Sequence, residues 1–202
     1  MNHLATTYKY IADILSYKTL NSKLENTLNS KSLVWDDIVR EGSKHLVLPA
    51  LYCRLKSRKL LSILPKELEL YLEEITTINR NRNIAILEQT NSISILLKSH
   101  NIDHVFLKGS AILALGCYND NAERMVGDID ILIKKSQLQQ AFQLIKSNGY
   151  NKTFGHAYQT IDYRHLARLI NPNKLAAIEL HSELLTKKHN KLLNVNEILK
   201  SK

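Results

Sequence analysis

Asp128 and Asp130 are separated by a single isoleucine, and Gly109, in the string Leu107-Lys108-Gly109-Ser110, stands nineteen residues before Asp128. Two aspartates at i and i+2 of an extended segment project to one face, because side-chain direction alternates along a strand. Carboxylates that close raise each other's pKa unless a cation lies between them. A Gly-Ser turn opening a helix offers backbone N–H groups and a hydroxyl, which suit a phosphate. An acid pair with a phosphate cradle suggests metal-assisted chemistry on a nucleoside triphosphate. Asp128 and Asp130 would then bind two Mg²⁺, with Mn²⁺ as the substitute, bridging the triphosphate and the attacking oxygen. The alternative for Asp-Ile-Asp-Ile taken alone is a strand whose outer face is simply solvated.

Glu179 is the candidate third acid. It lies in the apolar run Ala176-Ala177-Ile178-Glu179-Leu180, where an unpaired carboxylate is costly to bury. Beside a metal it would be neutralised, and it could accept the proton of an incoming hydroxyl; the alternative is a partly exposed glutamate on an edge strand. His181 alternates with Glu179 and shares its face, either orienting an acceptor or serving as a structural histidine. Lys108, Gly109 and Ser110 are expected to face the phosphates, although no GxxxxGK[ST] string occurs and this is not a P-loop. Arg124, four residues before Asp128, could clamp the triphosphate with its planar fork, or be a surface arginine. Tyr118 either stacks on a base or packs against a helix.

These residues need elements to hold them. The first hundred residues read as successive helices. Leu4, Tyr8, Ile11 and Leu15 mark an amphipathic first helix. A second is expected in the early twenties, and a third around Trp35, Ile38 and Val39, ending near Gly42. Pro49 suits the first turn of a fourth. Pro65 opens the longest, to about residue 98, with a polar middle, Asn79-Arg80-Asn81-Arg82-Asn83, that reads as a solvated waist or a kink.

From residue 100 the rhythm changes. His104–Leu107 reads as a short buried strand, and Gly109 as a turn into a helix through Leu115. Residues 116 to 127 form a polar loop. Asp128–Ile133 is the next strand, with Ile129, Ile131 and Ile133 opposite the aspartates. Ser136 can cap a helix that buries Leu138, Phe142 and Ile145 and stops at Gly149. Weak strand signals lie at Tyr150–Phe154 and Arg168–Ile170, Asn171-Pro172-Asn173-Lys174 is a turn, and Ala176–His181 is a strand. The tail from Lys187 reads as a frayed terminal helix. The organisation expected is a helical region over 1–99 and an α+β core over 100–202.

Composition narrows the class. A chain of 202 residues with 44% hydrophobic content can bury a real core. Two cysteines, Cys53 and Cys117, without CxxC spacing, suggest no disulfide framework and a reducing cytoplasm. No apolar run reaches membrane-spanning length, and no signal peptide or membrane partner is expected. The formal charge of +9 suits nucleotide, RNA or DNA, and equally a merely basic surface. The basic clusters Arg54/Lys56/Arg58/Lys59 and Lys187/Lys188/Lys191 lack interleaved aromatics and read as solvated helix faces. His156 and His165 match no zinc spacing.

Together these residues resemble the nucleotidyltransferase superfamily of polymerase-β-like fold, whose signature is a Gly-Ser turn, an Asp-x-Asp strand and a third acidic strand. More closely, the chain is similar to an uncharacterised bacterial nucleotidyltransferase family. The elements that carry this are Leu107-Lys108-Gly109, Tyr118, Arg124, Asp128-Ile129-Asp130-Ile131-Leu132, His165-Leu166 and Ile178-Glu179-Leu180-His181, together with a helical lead-in ending at Asn101-Ile102. The resemblance spans roughly residues 33 to 185. It implies a small mixed sheet flanked by helices, and transfer of a nucleoside monophosphate from an NTP to a hydroxyl acceptor (RNA, protein or small molecule) with pyrophosphate release. On this reading Asp128, Asp130 and Glu179 bind the metals. Lys108, Gly109, Ser110, Arg124 and His181 serve the substrates.

Two departures qualify it. The Gly109-to-Asp128 gap is longer than in compact members of the superfamily, and the chain ends soon after the third acid where relatives continue into a C-terminal subdomain. The alternative function is a non-catalytic nucleotide- or nucleic-acid-binding module on the same fold.

Overall fold

Apolar residues at helical spacing, interrupted by proline and by short polar links, produce the helices of the N-terminal half. The computed structural model describes residues 3–153, 166–186 and 188–200; Phe154, His156, His165 and Lys187, singled out above, lie outside them. Helices α1 (His3–Leu15), α2 (Asn21–Leu28), α3 (Trp35–Lys44) and α4 (Leu48–Ser57) precede the long α5 (Lys66–Ser99). Proline lies in the first turn of α4, where its missing N–H is of no consequence.

The chain forms two compact units, Met1–Asn83 with Tyr118–Met125, and Ile84–Cys117 with Val126–Lys202. Ile11, Ile14, Leu24, Leu28, Ile38, Leu51 and Leu55 lead the core of the first. The polar middle of α5 is not simply a solvated waist. Residues 79–83 are helical throughout, and Asn79 and Asn83 are buried.

The second unit holds the sheet. Strand β1 (His104–Leu107) leads directly into α6 (Lys108–Ala114); β2 (Asp128–Ile133) follows the loop, then α7 (Leu138–Ser147), the two-residue strands β3 (Asn151–Lys152) and β4 (Leu169–Ile170), β5 (Ala177–His181) and α8 (Val195–Lys200). The sheet order is β1-β2-β5-β4-β3. Among the described residues, β2 and β5 pair parallel and the other pairs are antiparallel. The fold is therefore α+β with a small mixed sheet. Ile129, Ile131 and Ile133 of β2 are fully buried, as their alternation predicts.

Ser136 does not cap α7. It lies in a 3-10 turn, Lys135–Gln137, whose Gln137 N–H donates to the Lys134 carbonyl at 2.9 Å, so backbone closes the helix start that the hydroxyl was expected to close. Among the described residues no helix is long and apolar enough to cross a membrane.

A buried glutamine ties α5 to the start of β5. Gln89 Nε2 donates to the Ala176 carbonyl at 2.8 Å, and its Oε1 accepts from the Ala176 N–H at 3.1 Å. The Gln89 side chain thus completes both backbone groups of a residue that is 2% exposed. Gln89→Ala should leave that N–H and carbonyl unpaired, lowering stability by about 2–4 kcal/mol in urea denaturation.

Candidate active site

The register of β2 against β5 brings the acids together. Asp130 pairs with Glu179 and Leu132 with His181, so residues 128, 130, 179 and 181 share one sheet face. β1 completes the edge, with Leu107 opposite Asp130. The next residue, Lys108, therefore leaves the sheet beside that carboxylate.

Lys108 adopts φ 53°, a left-handed conformation uncommon for a residue with a side chain. The sequence suggests Gly109 as the residue that permits the tight turn, yet the left-handed position is the lysine, and Gly109 is already helical and buried. Such a backbone costs about 1–2 kcal/mol. Lys108 Nζ donates to Asp130 Oδ1 at 2.5 Å. Ser110 is buried, and its hydroxyl donates to the Leu107 carbonyl at 3.0 Å, fixing the first turn of α6.

Asp130 is the hub of this face. It is 5% exposed. His181 Nε2 lies 2.8 Å from the same Oδ1 and 3.7 Å from Glu179 Oε2. Because a carboxylate only accepts, Nε2 carries the proton in that bond. Burial pushes the Asp130 carboxyl up, but the hydrogen bonds and charge of His181 and Lys108 outweigh it and hold it below the usual range.

Asp128 stands apart from this cluster. Its carboxylate accepts a charge-assisted bond from the Arg168 guanidinium. Arg168 is a site-face residue that motif reading does not find. It precedes a two-residue strand, forty positions from its partner, and the one available signal is the weak strand pattern at 168–170.

The ligating atoms of Asp130, Glu179 and His181 all lie within 4.8 Å of one another, a donor set able to hold a metal ion. Two hard carboxylate oxygens suit Mg²⁺ or Mn²⁺; once a metal displaces the Nε2 proton, the imidazole would add a nitrogen, a ligand that Mg²⁺ seldom takes. The Lys108 ammonium lies at Asp130 Oδ1 and offsets the charge of that carboxylate.

Arg124 and Tyr118 belong to the first compact unit. Arg124 is exposed and Tyr118 half-buried. The Arg124 carbonyl accepts from the side-chain amides of Asn79 and Asn83.

Residues 31–202 match the sequence model of a family described as an uncharacterised nucleotidyltransferase. No curated protein and no solved structure matches the chain.

Proposed function

The chain belongs to the uncharacterised nucleotidyltransferase family, and from that premise we propose that it moves a nucleoside monophosphate from an NTP to a hydroxyl acceptor, releasing pyrophosphate. The observation that carries this reading is the pairing of Asp130 with Glu179 across parallel strands, with Lys108 entering from the adjoining turn.

Asp128, Asp130 and Glu179 are the acids that would hold two Mg²⁺. His181 supplies a further donor beside Asp130 and Glu179. The ions would neutralise the triphosphate and the attacking oxygen. Lys108, Gly109 and Ser110 form the turn that receives the triphosphate. Arg168 keeps the Asp128 carboxylate oriented on the same face. Glu179, 21% exposed at its side chain against 7% for Asp130, is the more open carboxylate of the β2–β5 pair and takes the acceptor's proton. Catalysis is then positioning together with charge neutralisation.

Calorimetry with ATP, GTP, CTP and UTP, with and without Mg²⁺, tests this. Metal-dependent binding of at least one is expected. A well-folded protein that binds none, but binds RNA or DNA with steep salt dependence and no need of Mg²⁺, would replace the enzyme with a nucleic-acid-binding module.

The nitrogen donor has its own consequence. His181→Ala should weaken binding of Mn²⁺ alone by about tenfold and of Mg²⁺ considerably less, because imidazole favours the later metal. Equal losses for both ions would remove His181 from the ligand set.

A further inference from the structure

Lys108 is held in a backbone conformation that glycine would adopt at less cost. Its φ of 53° lies in the left-handed region. The chain on either side is fixed: Leu107 pairs with Asp130 in the sheet, and the buried Ser110 hydroxyl donates to the Leu107 carbonyl. Such an outlier beside a candidate site calls for a reason, and the ammonium gives one.

That ammonium lies at Asp130. Nζ donates to Oδ1 at 2.5 Å, the same oxygen that accepts from His181 Nε2 at 2.8 Å. The two donors differ in how they are held. His181 is 8% exposed at its side chain and packed in place, whereas Lys108 is 61% exposed and reaches a carboxylate that is 7% exposed. A four-carbon stem open to water can turn away with no repacking of the core. An ion pair with one exposed partner is also a modest interaction. His181 is thus a fixed partner of Asp130, and Lys108 an exchangeable one.

Asp130 is at the same time a member of the donor set able to hold a metal ion. An ammonium and a divalent cation at one carboxylate repel each other, and salt screens that repulsion little where the carboxylate is buried. Lys108 at Oδ1 therefore opposes metal binding. A triphosphate offers the ammonium an alternative, because it carries several negative charges and accepts through many oxygens.

We propose that Lys108 is an exchangeable counter-cation that couples the two ligands of this site: it neutralises Asp130 when no nucleotide is bound, and transfers to the triphosphate as the metal takes that carboxylate. This rests on the reading of Asp130, Glu179 and His181 as metal ligands and of the Lys108 turn as the phosphate site. Metal alone is then held weakly. Metal that arrives with a triphosphate is held well, because the phosphates remove the competing charge.

The test measures two ligands separately on the full chain. Mn²⁺ alone is followed by the EPR signal of the free ion, and inorganic triphosphate with Mg²⁺ by calorimetry. Lys108→Met keeps the length of the stem and removes the charge. It should tighten binding of Mn²⁺ alone by about tenfold, the scale of one lost repulsion between close charges, and weaken triphosphate binding by about fivefold. Lys108→Arg keeps the charge and should bind Mn²⁺ as the wild type does. A lysine that served only as a phosphate ligand, or only as a structural ion pair, would not give changes of opposite sign.

Unchanged or weaker Mn²⁺ binding in Lys108→Met, where Asp130→Asn abolishes it, would overturn the counter-cation role and leave the metal site standing. Tighter Mn²⁺ binding with unaltered triphosphate binding would overturn the transfer to phosphate. If Mn²⁺ binds neither the wild type nor Lys108→Met, or binds the wild type and Asp130→Asn equally, the metal-site reading itself fails, a result distinct from the other two. Should Lys108→Met not melt cooperatively, Lys108→Gly replaces it. Glycine suits φ 53° and removes the same charge, and the same outcomes decide.

Discussion

Asp130→Asn is expected to abolish Mg²⁺-dependent nucleotide binding and transfer, by about a thousandfold or more, while leaving the protein folded. The size of the effect follows from the residue's place. Asp130 lies beside Glu179 on the neighbouring strand, beneath the Lys108 ammonium and against His181. Its Oδ1 accepts from both His181 and the turn residue Lys108, and Glu179 is its register partner on β5. Asparagine keeps the shape and one acceptor oxygen, so the bonds from Lys108 and His181 have a partner, and stability should change by only about 1–2 kcal/mol. What it removes is the charge, which is what a divalent cation requires. Retained Mg²⁺-dependent binding in a variant that melts normally would remove Asp130 from the metal site.

The same substitution gives a pH signature with a definite sign. The Asp130 carboxyl is held below its ordinary value of 3.8 in the folded protein. A group depressed on folding contributes stability that is complete above its unfolded pKa and disappears as pH falls through the folded value. The wild type should therefore lose stability more steeply than Asp130→Asn as pH falls below about 4, with no Asp130-dependent difference in slope between about pH 6 and 8. Urea midpoints of the two proteins, measured across that range, check it. Parallel curves down to acid pH would mean that His181 and Lys108 do not stabilise the ionised form.

The legible parts of this protein are those written in local spacing. Ile129, Ile131 and Ile133 could be assigned to a buried face because a strand alternates strictly, and all three are fully buried. Pro49 and Pro65 mark the first turn of α4 and the residue before α5 because a missing N–H is harmless only there. The nearness of Asp130, Glu179 and Lys108 was readable because each stands on, or at the end of, a strand that the sequence marks. The parallel pairing that joins them spans nearly fifty residues and has no local trace.

Three features were beyond local reading for physical reasons. The left-handed turn falls on Lys108, not on Gly109, because the chain reverses one residue earlier than a glycine would suggest. Arg168 meets Asp128 only after β4 pairs with β5, and a two-residue strand leaves almost no periodicity to detect. Asn79 and Asn83 look like solvent-facing residues in composition, and only the folded 118–125 loop supplies the carbonyls that account for their burial.

Ile131→Ala should produce the largest loss of stability among simple truncations in the sheet, about 2–5 kcal/mol by urea denaturation. β2 is an interior strand of the sheet, paired on one side with β1 and on the other with β5, and Ile131 stands opposite Phe106 and Leu180 at its middle. Its side chain is fully buried, so truncation removes apolar area and leaves a cavity that a strand held by ladders on both sides cannot close. Against a typical total of about 5–15 kcal/mol, such a loss consumes a large share of the protein's stability. The intrinsic affinity of the folded fraction for nucleotide and Mg²⁺ should nevertheless remain close to that of the wild type, because Ile131 projects to the face opposite Asp130. The two substitutions, one residue apart on β2, thus separate what that strand does on its two faces. Asp130→Asn should cost binding with little stability, and Ile131→Ala stability with little binding. If Ile131→Ala cost less than about 1 kcal/mol, β2 would not be the packed interior strand on which the acid face depends.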